Sequence, residues 1–246
     1  MGTEALVSSA KPTSLRLAVF DASQPGNLWP RFGELDTPWE PQSLKKGWKA
    51  YKQRNRNWLL HRSWMLGSYG FRALGRFDAV YPAQTWEDAL RWLTKVGEHE
   101  GIAEVQYWGH GAPGRAYCNQ EYLFPRSAQT SDHTLLLAAL ASLVTEESLL
   151  WFRICSLFTG KPGQSFARTW ADDLGCQIAG HTFIIGFPFH SGAYVLRPGE
   201  VPSWSELEGV KSGTADQPRE IYWSRRAYPN TIWTWQTRPP TSILVS

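Results

Sequence analysis

The middle of the chain alternates between short apolar runs and segments of helical periodicity, and this alternation constrains the fold most. Thr85-Trp-Glu-Asp88 is a helix-capping signal, and the apolar residues after it recur at helical spacing until Gly97. Apolar runs predict strands at 102–108, 149–154 and 176–179, and periodic segments predict further helices at 135–144 and 165–174. Such alternation is typical of an α/β fold with right-handed crossovers. We therefore predict three layers, in which helices flank a mostly parallel central sheet.

The two ends of the chain are less periodic. Residues 1–14 predict a flexible tail, and the run LRLAVF at 15–20 predicts a first strand. A loop that contains glycine is expected at 159–163, before the helix at 165–174. Beyond Gly180 the sequence is rich in Trp, Pro and Gly and predicts irregular β structure, with short strands at 183–185, 193–196, 221–223 and 232–235. We expect one domain over 1–246.

Composition excludes several classes of protein. No stretch approaches the roughly 18 consecutive apolar residues of a membrane-spanning helix, and the N-terminus lacks a basic start followed by an apolar run. We therefore expect no membrane span and no signal peptide. The chain has three cysteines and no CxxC pair, which argues against a disulfide framework and against a zinc site. We expect no cofactor, no metal and a reducing, cytoplasmic location.

Two reactive side chains follow two of the predicted strands. His110 comes just after the strand at 102–108, and Cys155 comes just after the strand at 149–154. The two residues are 45 positions apart, which is the length of one crossover unit. Sites in parallel sheets form at the carboxyl ends of strands, so both side chains are expected at one edge of the sheet. Cysteine with histidine supplies a nucleophile and a proton carrier for covalent catalysis.

The segments around these residues resemble the caspase-like cysteine peptidases. The resemblance lies in Trp108-Gly-His-Gly-Ala-Pro-Gly114, in Leu149-Leu-Trp-Phe-Arg-Ile-Cys155, and in the glycine-started segment 163–175 with Ala179-Gly180. It covers roughly residues 100 to 185 and is greatest for bacterial caspase-like domains of unassigned function. It implies that Cys155 is the nucleophile, that His110 is the general acid/base, and that backbone N–H groups of Gly111 and Cys155 form the oxyanion hole.

The resemblance implies a cysteine endopeptidase that acts on protein or peptide substrates through a thioester intermediate, with a regulatory protein partner as a further candidate. The sequence departs from caspases in having Ile154 before the cysteine and Ser156-Leu157 after it. It also shows no counterpart of the charged pocket that sets specificity in that family. A catalytically inactive interaction module with the same fold is the alternative hypothesis.

Other features suggest other functions. The segment 41–77 carries nine Lys or Arg residues and no acid, interleaved with Trp and Tyr, which would suit nucleic acid or an anionic surface. We prefer a helix packed on the sheet with its basic residues in solvent. Gly163-Gln-Ser165-Phe-Ala167 is one residue from the nucleophile elbow of α/β-hydrolases, but no histidine follows His190, and Ser165 is interpreted as a helix start.

The remaining cysteines and histidines are interpreted as structural. Cys118 and Cys176 have no histidine at a comparable place in the sequence. Three histidines in or beside predicted helices are expected at the surface, namely His61, His99 and His133. His181 and His190 come soon after the candidate site, and a structural role is preferred for each.

Overall fold

The computed structural model describes residues 14–23, 61–119, 121–123 and 131–239. Within these ranges the helices are α1 (61–73), α2 (Trp86–Gly97), α3 (Ser131–Ala141) and α4 (Gly160–Leu174). The strands are β1 (Leu15–Asp21), β2 (Ala79–Ala83), β3 (Ile102–Trp108), β4 (His110–Ala112), β5 (Arg115–Cys118), β6 (Glu121–Leu123), β7 (Leu149–Arg153), β8 (Gln177–His181), β9 (Phe189–His190), β10 (Ala193–Leu196), β11 (Val210–Gly213), β12 (Pro218–Ile221) and β13 (Ile232–Trp233).

Six strands form the central sheet, in the order β10-β8-β7-β3-β1-β2. Only β10 runs antiparallel to its neighbour, and the other pairs are parallel. The prediction of an α/β fold with a mostly parallel central sheet is therefore confirmed. Small antiparallel sheets are added by β4-β5-β6, β11-β12 and β13-β9.

The two faces of the central sheet are covered differently. One face packs against α2, α3 and α4 in a large apolar cluster that includes Val105 and Tyr107 of β3 and Phe152 of β7. Successive side chains of a strand point to opposite faces. The alternate residues of β3 therefore lie on the other face, where Trp108 packs with Trp64 and Phe71 of α1.

The local signals for α2 are confirmed. Thr85 is the N-cap, and its side chain accepts a hydrogen bond of 3.1 Å from the N–H of Asp88. The buried side chains Trp86, Ala89, Leu90 and Leu93 form one face, since residues three and four apart lie on the same side of a helix.

The start of α4 was predicted five residues too late. The helix begins at Gly160, so the expected loop at 159–163 is instead its N-cap and first turn. Pro162 is tolerated there because a proline in the first turn removes no intrahelical hydrogen bond. Ser165 is therefore inside the helix and exposed, and it lies neither at a helix start nor at a nucleophile elbow.

Other predicted boundaries also move. The helix expected at 135–144 covers Ser131–Ala141. The helix expected over 44–66 lies outside the described residues up to position 60, and its described part continues to 73. In the C-terminal part, 183–185 contributes only an isolated bridge between Ile184 and Trp223, whereas Ala193–Leu196 is a strand as predicted. A search of the described residues for a helix long and apolar enough to cross a membrane found none.

Candidate active site at the carboxyl edge of the sheet

The ends of β3 and β7 place His110 and Cys155 at the same edge of the sheet. These strands are parallel neighbours, and Trp108 at the end of β3 is paired with Arg153 at the end of β7. His110 and Cys155 each follow a member of this pair by two residues. The structure therefore brings together the two residues that the sequence selected, at the edge where parallel sheets form sites.

Glycine allows the backbone after β3 to approach the backbone after β7. A Cβ atom at Gly111 would lie 2.6 Å from the carbonyl oxygen of Cys155 and 2.7 Å from Cγ1 of Ile154. No side chain fits in that space, so the close contact depends on glycine. The predicted oxyanion residues Gly111 and Cys155 are thus adjacent in space.

The histidine-glycine segment forms a short strand before the turn. His110–Ala112 is β4, which pairs with β5 and places His110 opposite Tyr117. The turn comes later, at Pro113 and Gly114, where Gly114 has a positive φ of 69°. Pairing with β5 supplies this segment with backbone hydrogen bonds, which a turn of glycines would lack.

Cys155 differs from the other two cysteines in its access to solvent. It is half-buried, whereas Cys118 and Cys176 are buried, and none of the three is in a disulfide. Burial raises the pKa of the Cys176 thiol to about 12 and that of Cys118 further still, which keeps both thiols protonated and unreactive. The Sγ atom of Cys155 lies 3.8 Å from the carbonyl oxygen of Ile185.

The chain turns sharply after the candidate nucleophile. Ser156 has a φ of 48°, in the left-handed region that non-glycine residues seldom adopt. Its N–H donates a hydrogen bond of 2.9 Å to the carbonyl of Phe183. This N–H is therefore used inside the protein.

The imidazole of His110 lies among aromatic rings of α1. Its ring centroid is 4.9 Å from that of Trp64 and 6.0 Å from that of His61. Burial, and second the charge of His61, lower the pKa of His110 to about 4. At neutral pH the imidazole is uncharged and has a lone pair that can accept a proton.

The prediction that His61 is a surface residue is wrong. His61 is half-buried, and its ring packs on Trp64 at 4.9 Å. Burial lowers its pKa, and the nearby Asp21 opposes that effect. The three-residue spacing of His61 and Trp64 is a helical signal that could have indicated a shared inward face.

His181 and His190 are structural, as interpreted, and lie deep beneath the sheet edge. Both are buried, with ring centroids 5.4 Å apart, and Nδ1 of His181 lies 3.3 Å from the carbonyl oxygen of Ser191. Burial lowers the pKa of His181 to about 3. Among the described residues, no group of three or more His, Cys, Asp or Glu side chains could hold a metal ion.

Two exposed aromatic side chains lie close to each other, and one of them follows Ile185 in the chain. Phe187, two residues after Ile185, is 84% exposed, and Trp235 is 55% exposed. Their ring centroids are 6.4 Å apart, and Trp235 stacks on Trp233 at 4.7 Å. Large apolar side chains at a surface mark a place where other molecules bind.

Comparison with known proteins gave no match of any kind. A scan against protein-family models matched no family, and searches of curated proteins and of solved structures found no similar protein. The function is therefore inferred from the geometry of the site.

Proposed function

We propose that the protein is a caspase-like cysteine peptidase in which Cys155 is the nucleophile and His110 is the general acid/base. The observation that carries the proposal is the pairing of Trp108 with Arg153. Because each of these residues ends a strand, His110 and Cys155 each lie two residues beyond the end of one of two adjacent strands. The contact between Gly111 and the backbone of Cys155 supports it further.

In the proposed reaction, His110 accepts the thiol proton and the sulfur of Cys155 attacks the carbonyl carbon of the scissile amide. The N–H groups of Gly111 and Cys155 donate to the oxyanion that forms. The imidazolium then gives its proton to the leaving amine as the C–N bond breaks, which leaves a thioester. Water attacks the thioester while His110 takes a proton from that water. The C–S bond then breaks, the imidazolium returns its proton to the sulfur of Cys155, and the acid product leaves.

The aromatic surface beside Cys155 supports a peptide as the substrate. Ile185 contacts the thiol through its carbonyl, and the exposed ring of Phe187 follows two residues later. Side chains that flank a scissile bond would reach these rings. We also propose a reducing, cytoplasmic location, which is supported by three cysteines without a disulfide.

A catalytically inactive interaction module is the second candidate. The pKa of about 4 for His110 favours it, because a histidine that binds protons so weakly is a poor base for a thiol. The two candidates share the fold, so only chemistry at Cys155 separates them.

Labelling with iodoacetamide, followed by mass spectrometry, tests the proposal. The folded wild-type protein is compared with Cys155→Ala and His110→Ala between pH 5 and 9. We expect Cys155 to react at least about tenfold faster than Cys118 and Cys176, and His110→Ala to remove most of that advantage. His99→Ala changes an exposed histidine and serves as the matched control.

Two results would reject the peptidase. One is a Cys155 that reacts no faster than the buried cysteines. The other is a rate that His110→Ala leaves unchanged. Either would leave the interaction module as the better proposal.

A further inference from the structure

The side of α1 that faces the sheet contacts His110 through the first turns of the helix. Residues of α1 that lie three or four apart face the sheet, namely His61, Trp64, Ser68 and Phe71. The helix comes very close to the sheet, since a Cβ atom at Gly67 would lie 2.5 Å from Cζ3 of Trp108. Because His110 follows Trp108 by two residues, the first turns of α1 are brought against its imidazole.

We propose that His61 and Trp64 are positioning residues for His110, so that α1 fixes the orientation of the general acid/base. This inference rests on the proposed function. His110 stands between Gly109 and Gly111, which have no side chains to support a ring. Support for the imidazole must therefore come from another element, and α1 provides it.

The three rings form one compact aromatic unit. Ring centroids are 4.9 Å apart for His61 and Trp64, 4.9 Å for Trp64 and His110, and 6.0 Å for the two histidines. Trp64 meets His110 at an interplanar angle of 78°, which is an edge-to-face contact. Such contacts are directional, so they favour one rotation of the imidazole over the others.

The unit is anchored at the end of β1. Asp21 is buried there, and its charge acts on His61. The Asp21 carboxylate accepts hydrogen bonds from the N–H and the hydroxyl of Ser23, at 3.0 and 2.6 Å. The end of β1 therefore lies close to His61, and the ring of Trp64 connects His61 with His110.

The charges that act within the unit agree with this role. Protonated His61 disfavours protonation of His110, while Asp21 favours protonation of His61. The two histidines therefore titrate as a pair. In this pair His110 stays neutral at pH 7.

Two measurements test the inference. The first is an NMR titration of the His110 ring in wild type, His61→Gln, Trp64→Ala and Trp64→Phe. We expect the pKa of His110 to rise by about one pH unit in Trp64→Ala, because water gains access, and by about half a unit in His61→Gln. Trp64→Phe keeps an aromatic ring in place and should restore the wild-type value. His99→Gln is the control for loss of an exposed histidine.

The second measurement is the rate of Cys155 alkylation in the same variants. His61→Gln and Trp64→Ala should slow it about tenfold through a misplaced base, and Trp64→Phe should recover it. Circular dichroism checks that each variant is folded. If Trp64→Ala does not fold, the result for His61→Gln decides the test by itself.

The two proposals fail in different ways. If His110→Ala slows alkylation but neither His61→Gln nor Trp64→Ala does, the positioning role is wrong while the dyad stands. An unchanged pKa of His110 in both α1 variants also overturns the role. If His110→Ala has no effect on alkylation, the proposed function itself fails.

Discussion

The two faces of the central sheet are built from different chemistry. The face under α2, α3 and α4 is held by apolar side chains such as Phe152, whose ring packs on Phe166 and Trp170 at 5.4 and 5.7 Å. The opposite face of the sheet buries three polar side chains of β3 and β7, namely Glu104, Gln106 and Arg153. We call these the helical face and the polar face.

The polar face is held by a network of specific partners. Arg76 forms an ion pair with Glu104, and Gln106 donates to Glu104 at 2.7 Å. Arg153 donates to Gln106 at 3.3 Å and to the carbonyls of Thr234 and Gln236, while Arg76 donates to that of Thr237. Buried Arg153 and partly buried Arg76 thus hold the C-terminal segment by its backbone.

Some buried polar atoms on and near this face have no hydrogen-bond partner. Among the described residues, six buried side-chain atoms have no hydrogen-bond partner, and five of them belong to the polar face or the segments on it: Trp151 Nε1, Arg153 Nε, His181 Nε2, His190 Nδ1 and Thr234 Oγ1. Unpaired buried polar atoms cost stability, and they persist near functional sites. The comparison teaches that the helical face depends on burial of apolar area, whereas the polar face depends on specific partners whose loss leaves a buried charge unpaired.

The test with the largest expected effect changes one side chain on each face. Glu104→Gln keeps the shape of the side chain but removes the charge that compensates Arg76 and Arg153, so we expect it to lower the free energy of unfolding by about 3 kcal/mol. Ile178→Val, which removes one methyl group from the helical face, should cost about 1 kcal/mol. Urea unfolding measures both. Equal losses would show that the two faces do not differ in this way.

A second test concerns the place where the two faces meet at the edge. Gly111→Ala puts a methyl group against the backbone of Cys155 and the side chain of Ile154, and we expect a loss of about 2 kcal/mol. Gly70→Ala is the control, because a Cβ atom there meets no atom within 4 Å. Thermal unfolding of the two variants should separate them, and similar midpoints would contradict the contact.

The smallest effect is a pH dependence that only the polar face should show. Burial depresses the pKa of His181 to about 3, while an unfolded histidine titrates near 6.5. The unfolded chain therefore binds more protons in this window, so stability falls as the pH falls from about 6.5 toward 3. His181→Gln should reduce the slope of unfolding free energy against pH by at most about 1.4 kcal/mol per pH unit.

Unfolding in urea at pH 7, 6 and 5 measures this slope. His99→Gln changes an exposed histidine and should leave it as in wild type. A slope in His181→Gln equal to that of wild type would mean that His181 is not held neutral by burial.

Much of the sheet could be predicted because each strand carries its own signal. The runs that became β1, β3, β7 and β10 are apolar enough to be recognised alone, and the turns after β3 and β7 located His110 and Cys155. The start of α4 was missed because Pro162 and Gly163 are typical of loops. Only tertiary contact, in which Gly163 packs on the backbone of Phe158, shows why a helix forms there.

The polar face could not be predicted from the sequence. Glu104 and Gln106 lie within a run that was interpreted only as a strand, and their partners come from Arg76, Arg153 and a segment 131 residues further along. The sequence predicts a helix packed on the sheet for the segment of Trp64 but gives no sign of its contact with His110, because nothing local shows that Gly67 lets α1 approach Trp108. Sequence reasoning located His110 and Cys155 at one sheet edge but missed the side chains that contact His110.

The hydrogen bonds that Arg153 donates to the C-terminal segment have a consequence for folding during synthesis on the ribosome. The carbonyls that Arg153 binds belong to residues 81 and 83 positions later, so β7 emerges long before its partners exist. Domains fold as their chain is made, and the helical face can assemble first from nearby segments. The polar face closes only after residues 234 to 237 have been added, whereas the last buried residue of the apolar cluster on the helical face is Trp204.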